Sequence, residues 1–163
     1  MNIGDLLKNP EKLNKVFENL LMNDEYDEAE KLLPFVTSSR LLINYAFHTK
    51  KRLSPQYEGK VFKDFVSLDP HMDLDPHDVL EYIDFVRERF PKLEPTIFEL
   101  GNPYFRKYYG ILKLIGKDDE FLKDHPEKIR DAFEVELYNA YEEGDNSELE
   151  KFLKKYPEYR KFV

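Results

Sequence analysis

Asp69-Pro70-His71 and Asp75-Pro76-His77 are two Asp-Pro-His triplets six residues apart, with Asp73 between them and Asp78 directly after the second. Carboxylates and imidazoles are the ligand types of zinc, manganese and iron, so His71, Asp73, His77 and Asp78 are the candidate metal ligands of a metal-dependent hydrolase. Six is not a helical repeat, and a loop would have to bring the two imidazoles together. The spacing also lacks the central glycine of an EF-hand calcium loop. A plainer account gives each residue a backbone task. Asp69 and Asp75 cap and turn the chain, Asp78 favours the positive end of a helix begun by Pro76, and both imidazoles are solvated. That account needs no ligand, and it is the expectation here: no cofactor and no tightly held metal.

The run Tyr104-Phe105-Arg106-Lys107-Tyr108-Tyr109 interleaves aromatic rings with two cations, as surfaces for single-stranded nucleic acid do. A net charge of −8 works against that use, because binding nucleic acid or anionic lipid requires a positive field. Tyrosine and arginine are also the residues that most often anchor protein interfaces, which makes Tyr104, Arg106, Tyr108 and Tyr109 the candidate partner-binding residues. The competing account buries the tyrosines and leaves only the cations at the surface. The serines lack a nucleophile-elbow context, and the six glycines are dispersed rather than gathered in a phosphate loop. The order His48, His77-Asp78, then Asp118, Asp119 or Asp131 is similar to that of the HD-domain metal phosphohydrolases, which are all-α; the resemblance implies His48 as a further ligand in the hydrolase reading.

The elements that would position these residues are helices. Proline follows a side-chain acceptor or hydroxyl at Asn9-Pro10, Ser54-Pro55, Asp75-Pro76 and Asn102-Pro103, where a missing N–H costs nothing at the first helical position. Thr37, Ser38 or Ser39 caps a further helix that runs out in Lys50, Lys51 and Arg52. The helix from Pro76 is expected to stop at Phe90-Pro91, and Gly101 to close a short helix opened at Glu94-Pro95. The helix from Pro103 to Gly116 is apolar on more than one face and is placed at the centre of the fold. No run has strand alternation or β-branched density.

The two ends of the chain echo each other. Pro126-Glu127-Lys128-Ile129 matches Pro10-Glu11-Lys12-Leu13, and Ala132-Phe133-Glu134 matches Val16-Phe17-Glu18, at an offset of 116. Glu148 to Leu153 then matches Glu28 to Leu33 at an offset of 120, which places four extra residues in the later turn. In each copy two apolar stripes at helical spacing flank a short polar link, the pattern of an antiparallel hairpin. Gly144 ends the first helix of the later copy, with Ser147 and Glu150 as a capping box, and Asp24 caps the second helix of the earlier one. Leu137-Tyr138-Asn139-Ala140-Tyr141-Glu142-Glu143-Gly144-Asp145 resembles the first helix and turn of a tetratricopeptide repeat, and Glu25 to Glu30 resembles its second helix. Tyr138 and Phe17 stand where that family keeps a small residue. The resemblance implies helical-hairpin architecture and a peptide-binding role.

At 163 residues, with 11 Tyr and 13 Phe, the chain can build a sizeable core despite 36% charged residues. The absence of cysteine removes disulfides and thiolate chemistry and suits a reducing, cytoplasmic setting, and abundant Lys and Glu resemble thermophile usage. Neither a signal peptide nor a membrane anchor is expected. The sequence therefore predicts one all-α domain over 1–163, a compact bundle or short superhelix: an N-terminal hairpin at 10–33, central helices over 38–116 and a C-terminal hairpin at 126–156. The expected function is a protein-binding helical adaptor or accessory subunit without catalysis, using a groove between the two terminal hairpins that flank the central helix with Tyr104 to Tyr109. A metal-dependent hydrolase at Asp69 to Asp78 and a nucleic-acid-associated subunit are the alternatives.

Overall fold

Side chains that accept hydrogen bonds set the starts of several helices. In a computed structural model that describes residues 2–67, 69 and 73–163, Asn2 Oδ1 accepts from Gly4 N at 3.0 Å and opens α1 (Ile3–Leu7). Asn9 Oδ1 accepts from Lys12 N at 3.1 Å and opens α2 (Pro10–Met22), which is followed by α3 (Tyr26–Leu32). Of the three candidate hydroxyls at the start of α4 (Ser39–Thr49), Ser38 is the cap, accepting from Leu41 N at 3.2 Å. α5 (Pro55–Ser67) begins at its expected proline, and Asp75 caps α6 (Pro76–Val86) by accepting from His77 N at 2.9 Å. Then come a 3-10 turn at Pro91–Leu93, α7 (Glu94–Leu100), α8 (Asn102–Leu114), α9 (Asp118–Asp124), a 3-10 turn at Pro126–Lys128, α10 (Ile129–Glu143), α11 (Ser147–Lys155) and a last 3-10 turn at Pro157–Phe162. The described residues contain no strand, so the fold is all-α.

Contacts concentrate in two compact units, Met1–Glu99 and Leu100–Val163, a division that length and composition do not signal. In the first unit α2 pairs with α3 across a three-residue link, and α4 packs on α2, α5 and α6. Leu13, Phe17 and Leu21 of α2 fall on one stripe and are buried with Ala29, Leu32, Leu41, Leu42, Val79 and Ile83. In the second unit α8 packs on α9 and α10, α10 pairs with α11, and the terminal 3-10 turn lies on α11. The helix that carries Tyr104 to Tyr109 therefore belongs with the C-terminal hairpin by its contacts.

Five local expectations are corrected. The extra residues of the later hairpin lengthen its first helix rather than its turn, since both links have three residues while α2 has 13 and α10 has 15. The physical reason lies just after the matched Leu21 and Leu137. Asn23-Asp24 breaks α2, with Asp24 left-handed at φ 59°, whereas Ala140-Tyr141-Glu142-Glu143 carries α10 on to Gly144 at φ 66°. Ser147 is not a cap; Asp145 Oδ1 accepts from its N–H at 2.9 Å, and Asp24 likewise turns the chain rather than capping α3. α6 ends at Val86 rather than Phe90, because Arg87 takes a left-handed conformation at φ 63°. α8 starts at Asn102 itself, after Gly101 at φ 97°, so Asn102 lies inside the helix.

An ion-pair cluster ties a loop to helices in the first unit. Arg52, just past α4, donates through Nε and Nη2 to both oxygens of Glu58 at 2.9 Å, and through Nη2 to Glu88 at 3.0 Å. Tyr82 donates to Glu58 and accepts from Leu53 N at 3.1 Å. Burial pushes the Glu58 carboxyl up, but the hydrogen bonds from Arg52 and Tyr82 outweigh it and hold the group below its ordinary 4.5. A carboxyl depressed by folding adds stability that is complete above its unfolded value and is lost as pH falls through the folded value. The stability advantage of the wild type over Glu58→Gln is thus greatest at neutral pH and shrinks below about pH 4.5, which thermal melts across the acid range would display. A difference independent of pH would show that the carboxylate charge is not what closes the cluster.

Candidate binding surface

α10 presents two stripes. One, with Ala132, Val135, Glu136 and Ala140, is buried; the other, with exposed Arg130, Glu134, Tyr138 and Tyr141 and half-buried Leu137, faces outward. The steps of three and four in each stripe put them on different faces of a single helix. Beside the outward stripe lie two hollows, and Glu134 lines both. The larger, about 620 Å³, is bounded by Phe133 and Leu137 on α10 and by Tyr159 and Phe162 of the terminal 3-10 turn. The smaller, about 160 Å³, is bounded by Phe105 and Arg106 on α8 and by Val135 and Tyr138 on α10.

Aromatic packing builds the wall of the larger hollow. Phe133 meets Tyr159 at 5.0 Å and Phe162 at 6.4 Å between ring centres, and Tyr159 meets Phe162 at 6.2 Å. Pro157 directs the chain into the turn that carries Tyr159 and Phe162, because its fixed φ suits the first position of a helical turn. Phe162 nevertheless stays 61% exposed, and Tyr138 and Tyr141 stand 44% and 85% exposed on α10. Arg130, Glu134, Glu158 and Lys161 surround the apolar floor, two charges of each sign. At the other hollow the Arg106 guanidinium lies 3.7 Å from the centre of the Tyr138 ring, a cation–π contact that holds both side chains at the rim.

The candidate partner-binding residues separate accordingly. Arg106 is exposed and lines the smaller hollow, and Tyr104 is half-buried. Tyr108 and Tyr109 are buried, so neither presents a surface to a partner; they face the packed side of α8. Burial, then the charge of Glu136, hold the Tyr109 phenol well above its ordinary value, and its hydroxyl donates to Glu136 Oε1 at 3.0 Å. Reading α8 alone overlooked Tyr138, Leu137, Tyr159 and Phe162. A signal for Tyr138 was present, since it occupies a position where the tetratricopeptide pattern has a small residue.

The residues of the hydrolase reading fall as follows. His71 lies outside the described residues. Asp73 is exposed and accepts from Ser38 Oγ at 2.8 Å and Arg40 Nε at 3.4 Å, joining the loop to the start of α4. His77 is exposed in the first turn of α6, its backbone N–H held by Asp75. Asp78 is half-buried, and burial followed by the charges of Asp75 and Glu81 raises its pKa. Among the described residues no group of three histidine, aspartate or glutamate side chains is placed to hold a metal ion. Nor is any helix among them long and apolar enough to cross a membrane.

Comparison with protein-family models, with curated proteins and with solved structures finds no match to this chain.

Proposed function

We propose that this protein works by binding a segment of another protein, whose apolar side chains lie along α10 in the second unit. One observation carries the reading: an aromatic-walled hollow of about 620 Å³ and a second, smaller one both lie along α10, which also carries exposed Tyr138 and Tyr141. That volume falls within the range of sites that enclose a ligand, and the lining has the make-up of an interface core, aromatic at the centre and charged at the rim. The partner segment that suits it is short and amphipathic, with two apolar side chains spaced to reach Leu137 and Phe162. Its polar flank meets a rim of balanced charge, so apolar burial supplies the affinity. The likeness of the terminal hairpins to tetratricopeptide repeats, a family that binds peptides, supports the same reading, as does a net charge of −8 that disfavours nucleic acid.

A test uses the whole protein carrying a photo-crosslinking amino acid at Tyr138, incubated with extract of its own host. A crosslinked protein is then purified and its affinity measured against variants. Leu137→Asp weakens binding by about 2 kcal/mol or more, roughly thirtyfold, as removal of an interface anchor does. Met22→Asp, at a 71% exposed position on α2 in the other unit, leaves affinity unchanged. Equal binding by wild type and Leu137→Asp would move the partner off α10.

A further inference from the structure

The second unit has another cleft, polar where the α10 surface is apolar. It lies where α8, α9, α10 and α11 meet and holds about 60 Å³. Its rim is solvated: the side chains of Asp119, Glu148, Lys151 and Lys155 are each about half exposed or more. Glu136 is 2% exposed and therefore forms the floor. Oε1 of this carboxylate is in use, with Lys113 Nζ at 2.6 Å and the Tyr109 hydroxyl at 3.0 Å. Oε2 is buried and has no hydrogen-bond partner. A buried acceptor left without a donor is costly, and a group that supplies one is correspondingly favoured.

The charges around this oxygen indicate what kind of donor is missing. Three lysines line the cleft against four carboxylates, Asp118, Asp119, Glu136 and Glu148, which leaves one negative charge in excess. Each lysine is committed: Lys113 to Glu136 and Glu148, Lys151 to Glu148 at 3.0 Å, and Lys155 to Asp119 at 2.6 Å. Asp118 makes no ion pair among the described residues, so the surplus resides with it and with the free oxygen of Glu136. Phe152 and Tyr156 add aromatic lining, which attracts a cation as well. The described carboxylates are not arranged to ligate a metal ion.

We propose that this cleft is a binding site for an organic cation, a guanidinium or primary ammonium headgroup. Its N–H groups donate to Glu136 Oε2 and to Asp118, and its charge balances the excess. The room available suits one such headgroup and no larger body. The site does not depend on the α10 surface, because Glu136 is on the buried stripe of that helix.

Titration of the isotope-labelled full chain with methylguanidinium chloride, followed by amide NMR, tests this directly. Saturable shifts are expected at the starts of α9 and α11, and equal potassium chloride should not reproduce them. Asp118→Asn, a half-buried position whose change leaves the core intact, weakens binding about tenfold, the effect of a lost charge-assisted hydrogen bond. Glu136→Gln weakens it as well, and should that variant fail to fold, Asp118→Asn still decides. Acetyl-arginine amide as a second titrant identifies the source: binding as tight as methylguanidinium points to an arginine side chain, and exclusion of the amide points to a free small ligand. Shifts matched by potassium chloride, or unchanged by Asp118→Asn, would mean that the cleft holds only water and would overturn the proposal.

Discussion

Replacing Glu94 with alanine lowers the unfolding free energy by roughly 3–5 kcal/mol, the cost of taking a two-oxygen carboxylate partner away from a buried guanidinium. Arg89 donates through Nε and Nη2 to the two oxygens of Glu94, both at 2.8 Å, with side chains 6% and 0% exposed. A guanidinium does not shed its proton under these conditions, so without Glu94 it stays charged in a space that excludes water. The loss cannot be relieved by titration. Replacing both residues together, Arg89→Met with Glu94→Leu, costs far less than Glu94→Ala alone, because removing two charges also removes two desolvation penalties. Urea unfolding of the wild type, the single variant and the double variant provides the comparison. If the double variant is as unstable as the single one, packing rather than charge accounts for the effect.

Nothing in the sequence marked that pair, and the reason applies more widely. The caps at Asn9, Ser38 and Asp75 were legible because a side chain there reaches a backbone N–H only two or three residues ahead, so the whole interaction is written locally. Arg89 and Glu94 are five apart across a bend, and Arg52 meets Glu88 across 36 positions; such pairs exist only once helices have packed. Charge at a position says nothing of burial, and Glu94 read simply as the residue before a proline. The same limit explains the run from Tyr104 to Tyr109. Six consecutive helical residues point all round the axis, so the pattern can offer tyrosines as candidates but cannot choose which face the core. Packing chose Tyr108 and Tyr109 for the interior and left Arg106 outside.

The candidate surface was partly legible. Tyr138 stood out as oversized against the tetratricopeptide pattern, yet its partner ring wall comes from Tyr159 and Phe162, in a turn whose only sequence cue is Pro157. The extra length that followed Leu137 extends the outward stripe of α10 to Tyr141. An exposed Tyr141 is possible because the helix runs on past the point where α2 stops. The matched ends share a hairpin plan, and the longer helix of the later copy adds exposed Tyr141 beyond the hollows.

Truncating Tyr109 to alanine is expected to cost roughly 3–5 kcal/mol of stability, the range for removing a large buried aromatic side chain. Its ring is 1% exposed and stacks on Phe105, with centres 6.0 Å apart and planes 12° from parallel. Its hydroxyl is also one of two donors to Glu136, so the change opens a cavity and weakens the support of a buried carboxylate at once. Tyr109→Phe separates the two contributions. It keeps the ring and loses about 1–3 kcal/mol for the missing donor to a charged group. Tyr138→Ala is the contrast, because that ring is 44% exposed and its main contact is the Arg106 guanidinium. A cation–π contact at an exposed site is worth about 0.5–1 kcal/mol, so the melting temperature should hardly move while partner binding falls. Chemical unfolding of the three variants gives the order Tyr109→Ala, then Tyr109→Phe, then Tyr138→Ala. Should Tyr138→Ala prove as destabilising as Tyr109→Ala, Tyr138 would be a core residue, and the α10 surface would lose its aromatic anchor at Arg106.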